Sequence, residues 1–306
     1  MSKNSLSDSL KLTIRLLLGV FFIGTAVLKL LSIDNFEIYI YSFGIFSYTW
    51  TTFFSRLLIF TELIIGIGLI LKIYFKQIWW LTILMMIGFT LFLVYAAIFR
   101  NDSNCHCFGD FIELDPRQSI VKNIIVLALL LVIRKEENHK YHPLLRKWLV
   151  GLSLAISLVI SFVLLPMDVI YNRIYSEKDN VNTAAFYESI SDTTYSGIHQ
   201  GRYLINYALA GCRFCRFGAE KVTIMLDRHG ISHDRLKFFV GGSDEAITRF
   251  IEITGTSDYD HFKIPASQFM SITMGKFPLY VFIEDGKVVK AGDFRMIDDE
   301  TIGSFF

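Results

Sequence analysis

Four cysteines are the residues of this chain best suited to chemistry, and they form two pairs. Cys212 and Cys215 lie in "GCRFC" with two residues between them, and Cys105 and Cys107 lie in "NCHCFGD" with one residue between them. Thiols this close in sequence can close and reopen a disulfide, or can bind a soft metal ion. The first question is whether the two pairs form one chemical system.

The elements that must position these thiols are those of a membrane protein. The chain has 306 residues, of which 53% are hydrophobic, and this is too apolar for one soluble domain. Its net charge is +1 and its basic residues are spread along the chain, so composition argues against a nucleic-acid partner and for a lipid environment. Apolar runs long enough to span a bilayer occur at 16–33, 54–71, 79–98, 119–133 and 148–167.

The distribution of Lys and Arg predicts the orientation of these spans. Basic residues cluster before the first run, between the second and third, and between the fourth and fifth, and such loops favour the cytoplasm. We therefore expect a multi-pass protein of the bacterial inner membrane, with a cytoplasmic N-terminus and a periplasmic C-terminal domain. All four thiols would then face the oxidising side, where disulfides persist.

The polar C-terminal part shows the pattern of an α/β domain. "RYLINYALAGC" predicts a strand that leads into the cysteines, and apolar residues at helical spacing follow them. "DRLKFFVGG" predicts a second buried strand, and Ser243 is expected to cap the next helix. "FPLYVFIEDGKVVKAG" predicts a hairpin with its turn at Asp285 and Gly286.

This order of elements resembles the thioredoxin-like family over residues 202–294. A CxxC pair at a helix N-terminus has its first thiol beside unpaired backbone N–H groups, which lower its pKa. The resemblance implies that Cys212 attacks, that Cys215 resolves the mixed disulfide, and that Pro278 is a cis-proline that positions a client chain. Gly211 stands where thioredoxins usually carry Trp, so neither redox potential nor partner choice is implied.

A structural zinc site is the alternative reading of Cys212 and Cys215. Zinc usually takes four ligands, and His229 and His233 lie four residues apart downstream. Gly230 stands between them, so we expect the helix to end there and the two histidines not to share a face. Redox chemistry is therefore the favoured interpretation.

The first four spans resemble the DoxX-like and MauE-like (methylamine utilisation) membrane proteins. The resemblance rests on "RLLLGVFFIGTAVLKLLSIDNF", on "TELIIGIGLILKIY" and on "CHCFGD", which matches a C-x-C-F-G element of the MauE-like branch. Lys29 and Glu62 are charges within apolar runs and are expected to pair. This pair has two interpretations: an interhelical ion pair, or a polar site that binds a quinone ring or relays protons.

The CxC pair also has more than one interpretation. Cys105 and Cys107 can form a small, exchangeable disulfide at the membrane surface. With His106 they could instead bind a metal such as Cu(I), and inert free thiols are a third possibility. A redox role is favoured because the same chain carries a second dithiol predicted on the same side.

We therefore predict a multi-domain protein: an α-helical transmembrane bundle followed by an α/β thioredoxin-like domain. Its expected parts are a four-span bundle at 1–135, a loop and fifth span at 136–168, a connector at 169–200 and the thioredoxin-like domain at 201–306. The leading hypothesis is a thiol–disulfide oxidoreductase that relays electrons between periplasmic client or redox partner proteins, the CxxC and the CxC, with quinone as a possible final carrier. The alternatives are a membrane-anchored maturation factor acting as a thiol reductase, and a copper-handling protein.

Overall fold

The computed structural model describes residues 3–100, 102, 104–165, 167–168, 181–190 and 198–306. Two compact units are present: Met1–Ile40 with Thr52–Pro166, and Tyr41–Thr51 with Met167–Phe306. The expected domain limits stay a prediction. Of the expected connector, 169–180 and 191–197 lie outside the described residues, and the intervening Thr183–Ile190 is a helix, α7.

The N-terminal half of the chain is helical. Its elements are α1 Lys3–Leu31, α2 Ile33–Tyr41, α3 Tyr48–Leu71, α4 Phe75–Phe99, the short strand β1 Cys107–Asp110, α5 Pro116–Ile133, and α6 Pro143–Leu158 with a π-helical continuation at Val159–Val163. Five helices in the described part of the chain are long and apolar enough to cross a membrane, and they coincide with the five predicted runs. The protein is therefore a multi-pass membrane protein.

The start of α5 is determined by local sequence. Asp115 accepts a hydrogen bond from the Gln118 backbone N–H at 2.7 Å, and the Gln118 side chain accepts one from the Asp115 N–H at 3.1 Å. Pro116 occupies the first helical position, where its missing N–H costs nothing. This capping box begins α5 directly after the loop that carries Cys105 and Cys107.

Part of the aromatic stretch at 36–50 is buried in the protein. Phe36, Tyr41 and Tyr48 are at most 2% exposed, whereas Ile45 and Trp50 are more than half exposed. In α2, Glu37 forms an ion pair with Arg56 of α3, and both side chains are 1% exposed. A buried carboxylate needs a counter-charge, so the pairing with Arg56 explains why Glu37 can lie inside the protein.

The C-terminal half contains a five-stranded mixed sheet in the order β4-β3-β2-β5-β6. Its strands are β2 Arg202–Leu209, β3 Leu236–Gly241, β4 Asp260–Lys263, β5 Leu279–Glu284 and β6 Lys287–Gly292. Pairing is parallel for β2 with β3 and for β3 with β4, whereas β5 is antiparallel to both β2 and β6. With a CxxC helix after the central strand β2, this is a thioredoxin-like fold.

Helices cover the two faces of this sheet. They are α7, α8 Arg213–Arg228, α9 Asp244–Thr254, α10 Ala266–Thr273 and α11 Asp299–Phe305. Ile205 and Tyr207 of β2 pack in one apolar cluster with Phe186 of α7 and Phe269 of α10. Because side chains alternate along a strand, Asn206 points to the opposite face, which α8 covers.

The predicted elements of this domain are confirmed. Ser243 caps α9 by accepting a hydrogen bond from the Ala246 N–H. The hairpin turns at Asp285 and Gly286, both with positive φ, as the primed turn that joins two strands requires. The sequence analysis did not predict β4 or α11, which are short and carry many polar residues.

Candidate functional site

The CxxC pair lies where β2 ends and α8 begins. Cys212 is the N-cap of α8, and its sulfur accepts a hydrogen bond from the Cys215 backbone N–H at 3.2 Å. Cys215, one turn into the helix, is fully buried, and its sulfur accepts a hydrogen bond from the Leu209 N–H at 3.4 Å. Cys212 is partly exposed, so it is the sulfur of this pair that a second protein can reach.

Cys212 and Cys215 have opposite acidities. The pKa of Cys212 falls from 9.0 to about 6, first because the Cys215 thiol donates a hydrogen bond to its sulfur. The backbone N–H groups of Cys215 and Phe214 and the charge of Arg216 also lower this pKa, against partial burial. Burial raises the pKa of Cys215. At neutral pH, Cys212 is therefore a nucleophilic thiolate and Cys215 keeps its proton.

Pro278 follows a cis peptide bond, as the thioredoxin resemblance implies. The next residue, Leu279, pairs with Tyr207 of β2. Pro278 therefore lies at the end of the sheet where β2 leads to Cys212. Its role in receiving a client chain stays a prediction.

Two buried polar residues on the α8 side of the sheet were not predicted. Asn206 and Tyr280 are cross-strand partners on β2 and β5, and both are fully buried. Neither side chain has a hydrogen-bond partner among the described residues. Burial raises the pKa of Tyr280, and Cys215 is the next largest cause, so the tyrosine belongs to the surroundings of the resolving thiol. A polar Asn in the otherwise apolar strand "YLINYAL" was the available signal.

The histidines of the zinc interpretation do not face Cys212. The helix α8 ends at Arg228, and His229 lies at its C-cap. His229 Nε2 lies 3.3 Å from Asp299 Oδ1, and His233 Nε2 lies 2.8 Å from Asp227 Oδ1. Among the described residues, no group of three or more His, Cys, Asp or Glu side chains could hold a metal ion.

Cys105 and Cys107 are joined by a disulfide in the membrane unit. Both are 1% exposed and pack with Leu93, Phe89 and other apolar side chains of one small cluster. Apolar side chains thus cover both sulfurs, and the position of the pair at the membrane surface stays a prediction. In this joined state the sulfurs offer no thiolates to the copper site considered with His106.

The loop around this disulfide lies close to α1. Gly109 has φ +63°, and a Cβ there would lie 1.9 Å from Ser32 Oγ and 2.7 Å from the Leu28 carbonyl oxygen. His106 also has a positive φ, of 51°, and its ring centroid lies 5.2 Å from that of Tyr39. The glycine of the C-x-C-F-G element is thus required by the close approach of two backbones.

Lys29 and Glu62 form the expected pair. Lys29 Nζ lies 2.6 Å from Glu62 Oε1 and 2.9 Å from Oε2. Lys29 is 2% exposed and Glu62 6%, so the lysine does not extend to the membrane surface. Thr25 Oγ1 lies 3.5 Å from Glu62 Oε2. The pair joins α1 to α3 inside the bundle.

A small cavity adjoins this pair, and two of its lining residues were not predicted. Lys122 and Asn123 of α5 line it together with Lys29, Glu62 and aromatic and methionine side chains. Its volume of about 20 Å³ is enough for one water molecule. A pocket for an organic ligand has roughly 300 Å³ or more, so this cavity is of the size that holds water.

Comparison with known proteins agrees with the architecture of the N-terminal half. Residues 7–134 match the family model of methylamine utilisation protein MauE. We call this part of the chain, which matches that family model, the MauE domain. The MauE domain comprises four of the five candidate spans and the Cys105–Cys107 disulfide.

One relative extends the comparison beyond the MauE domain. "Protein TlpB" from Flavobacterium psychrophilum is 28% identical, and the alignment covers 81% of this chain and 81% of the relative. No solved structure matches the chain significantly. A MauE domain together with a thioredoxin-like domain carrying an activated CxxC describes, in general terms, a membrane-associated thiol–disulfide oxidoreductase.

Proposed function

We propose that this protein relays electrons between client proteins and the MauE domain through two dithiol–disulfide couples. Cys212 and Cys215 exchange with clients, and Cys105 and Cys107 form the second couple. The observation that carries the proposal is the asymmetry of the CxxC pair. Cys212 is partly exposed with a lowered pKa, whereas Cys215 is buried with a raised pKa.

The exchange within the chain is a pair of balanced substitutions. The Cys212 thiolate attacks the Cys105 sulfur, which forms the Cys212–Cys105 bond and releases Cys107 as a thiolate. Cys215 then gives up its proton and attacks Cys212, which closes the CxxC disulfide and releases Cys105. Two electrons pass to the MauE domain, and the one proton that Cys215 gives up passes to one of the two released thiolates or to water. A client disulfide forms when its dithiol then reduces the CxxC disulfide.

Burial of the Cys105–Cys107 disulfide sets a condition on this relay. A thiolate must reach one of the sulfurs, so the apolar cluster around them has to open before exchange. Tethering both couples on one chain raises their effective concentration to about the millimolar range, which offsets part of the cost of opening.

The proposal includes a topology and leaves out a quinone site. The orientation follows the basic loops: N-terminus cytoplasmic, thioredoxin-like domain periplasmic, in the inner membrane of a bacterium. The partners are periplasmic proteins with exchangeable thiols, and the bundle is surrounded by lipid. No quinone is assigned to Lys29 and Glu62, because their cavity is of the size that holds water.

The burial of the Cys105–Cys107 disulfide also favours a second candidate function. If the Cys105–Cys107 disulfide only stabilises the bundle, the MauE domain is an anchor, and the thioredoxin-like domain is a thiol reductase in the maturation of another enzyme. Electrons would then come from a separate protein.

Trapping the mixed disulfide separates the two functions. In the full chain, the double variant Cys107→Ser with Cys215→Ser keeps one thiol in each couple and removes both resolving thiols. On mild oxidation with oxidised glutathione, the relay predicts an intramolecular Cys212–Cys105 disulfide, detected by peptide mapping after alkylation. The matched control, Cys105→Ser with Cys215→Ser, leaves Cys107 instead of Cys105. It should give a lower yield of the disulfide between Cys212 and the remaining cysteine of the MauE domain. Absence of any bond between the couples in both variants would refute the relay and support the anchored reductase.

A further inference from the structure

The apolar helix α5 carries a polar face directed into the bundle. Ser119, Lys122 and Asn123 are three or four residues apart, which places them on one side of the helix. Ser119 and Asn123 are fully buried. Most of the other residues between Ile120 and Ile133 are apolar, so this face is a distinct feature of the helix.

This polar face adjoins the Cys105–Cys107 disulfide. Ser119 Oγ lies 2.9 Å from the Cys105 sulfur. Lys122 Nζ lies 5.0 Å from the centroid of the Phe108 ring, and Phe108 directly follows Cys107. Phe108 also packs against the apolar cluster that covers both sulfurs. A hydroxyl group thus lies beside Cys105, and one turn further along α5 the Lys122 ammonium group lies over the ring of Phe108, the residue that follows Cys107.

The charges around the cavity do not cancel. Lys29 and Glu62 neutralise each other through their ion pair. Within the part of the chain that the structure describes, no carboxylate lies at salt-bridge distance from Lys122, and its Nζ lies 5.0 Å from the ring centroid of Phe108 and 5.9 Å from that of Phe89. Asn123 donates to Thr90 Oγ1 at 3.0 Å, while its carbonyl oxygen has no partner among these residues. Lys122 and the Asn123 carbonyl oxygen therefore bring a positive charge and a free acceptor to the cavity beside the Lys29–Glu62 pair.

We propose that Lys122 is the counter-cation of the thiolate that forms when the Cys105–Cys107 disulfide opens. An incoming thiolate bonds to the Cys105 sulfur, the Cys105–Cys107 bond breaks, and its electron pair stays on Cys107 as a thiolate. A bare thiolate in an apolar cluster is costly, and a neighbouring cation lowers that cost. Ser119 donates a hydrogen bond to the Cys105 sulfur when this becomes a thiolate in the second step. The inference rests on the proposed redox role of this couple.

Lys122 can be tested without the relay. In a Cys212→Ser/Cys215→Ser background, the full chain in detergent is equilibrated with mixtures of reduced and oxidised dithiothreitol, and the Cys105–Cys107 couple is quantified by the mass shift on alkylation. We expect Lys122→Gln to favour the disulfide about tenfold, a change of about 30 mV for a two-electron couple. Lys122→Arg keeps the charge and should stay near the parent.

Further variants separate charge from packing. Lys122→Met keeps the apolar stem without the charge and should shift the equilibrium as Lys122→Gln does. Lys72→Gln removes a lysine that pairs with Glu136 elsewhere in the MauE domain and should cause no shift. The proposal would be overturned if Lys122→Gln and Lys122→Met both left the equilibrium unchanged. It would also be overturned if Lys122→Arg shifted the equilibrium as much as these two variants do. Because these measurements need no Cys212, a failed relay would not produce either result.

Discussion

Cys215 stabilises Cys212 through two hydrogen bonds: its backbone N–H lies 3.2 Å from the Cys212 sulfur, and its thiol donates to the same atom. Cys215, the proposed resolving residue, thus lowers the pKa of Cys212, the proposed attacking residue, without any bound client. Burial raises the pKa of Cys215, which keeps the thiol proton available for this bond at neutral pH. The two cysteines of the motif depend on each other for their separate roles.

The first prediction concerns the pH dependence of Cys212. Its rate of alkylation by iodoacetamide should rise with pH with a midpoint at about 6. Cys215→Ala removes the thiol donor and should move the midpoint upward by about one unit, the size expected for one net hydrogen bond. Cys215→Ser keeps a donor and should move it less. Equal midpoints in the two variants would show that the thiol hydrogen bond does not matter.

The same shift predicts how stability depends on pH. The pKa of Cys212 is lower in the folded state than the ordinary value of 9.0. Its contribution to the free energy of unfolding is therefore fully present above about pH 9 and is lost as pH falls towards about 6. Thermal unfolding of the reduced protein should show this loss between pH 9 and 6 relative to Cys212→Ser. Parallel curves for the two proteins would contradict it.

The tight packing between α8 and the sheet predicts that a larger side chain at Gly218 destabilises the fold. A Cβ at Gly218 would lie 2.8 Å from the Tyr280 hydroxyl oxygen and 3.0 Å from Phe294 Cβ. Gly218→Ala should therefore lower the free energy of unfolding by about 2 kcal/mol, a usual cost of overpacking. Adding Tyr280→Phe removes the hydroxyl and should restore part of the loss, so the double variant is more stable than the sum of the single effects implies.

Gly211→Ala is the matched control for this cycle. A Cβ at this position meets no other atom within 4 Å. The free energy of unfolding of Gly211→Ala should therefore stay within about 0.5 kcal/mol of the parent value. Strict additivity of Gly218→Ala and Tyr280→Phe would mean that the hydroxyl is not the obstacle.

The close approach of the CxC loop to α1 predicts a similar sensitivity at Gly109. A Cβ there would meet the Leu28 backbone oxygen, which cannot move aside easily, and φ is +63°. We expect Gly109→Ala to cost about 2 kcal/mol or more, seen as a lower unfolding temperature in detergent. Gly88→Ala in α4 is the control, because nothing lies within 4 Å of its Cβ. Comparable unfolding temperatures for both variants would exclude the backbone contact.

The buried pair of Glu37 and Arg56 predicts strong coupling between two helices. Arg56→Met alone leaves the Glu37 carboxylate buried without its counter-charge and should cost about 3–5 kcal/mol. Glu37→Gln combined with Arg56→Met should recover much of this loss. Thermal unfolding in detergent measures both. Lys11→Met, which breaks the exposed contact with Asp8, should change little. A double variant as unstable as Arg56→Met would rule out charge as the cause.

Much of the architecture follows from local patterns. Apolar runs of spanning length predicted all five membrane helices, and the Asp285–Gly286 pair predicted the hairpin turn. The N-cap position of Cys212 followed from the change between strand and helix periodicity around the motif. Each of these features depends on residues close together in sequence, so hydropathy, turn chemistry and spacing were sufficient.

The surroundings of the thiols could be predicted only in part. The ion pair of Lys29 with Glu62 was expected because two charges in apolar runs need partners. The burial of Phe36, Tyr41 and Tyr48 could not be predicted, because aromatic residues suit a membrane interface as well as a protein contact. Lys122 and Asn123 stand out in the fourth apolar run, but the run alone does not show what they face.

The sequence by itself determined the spans, the thioredoxin-like order of elements and the cysteine pairs that are candidates for redox chemistry. Only the tertiary structure decided that Cys105 and Cys107 are covered, that Ser119 lies beside Cys105, and that Asn206 faces Tyr280. The physical reason is that burial and electrostatic surroundings depend on which faces of distant elements meet. Packing of whole helices and strands sets those contacts, and no short stretch of sequence encodes them.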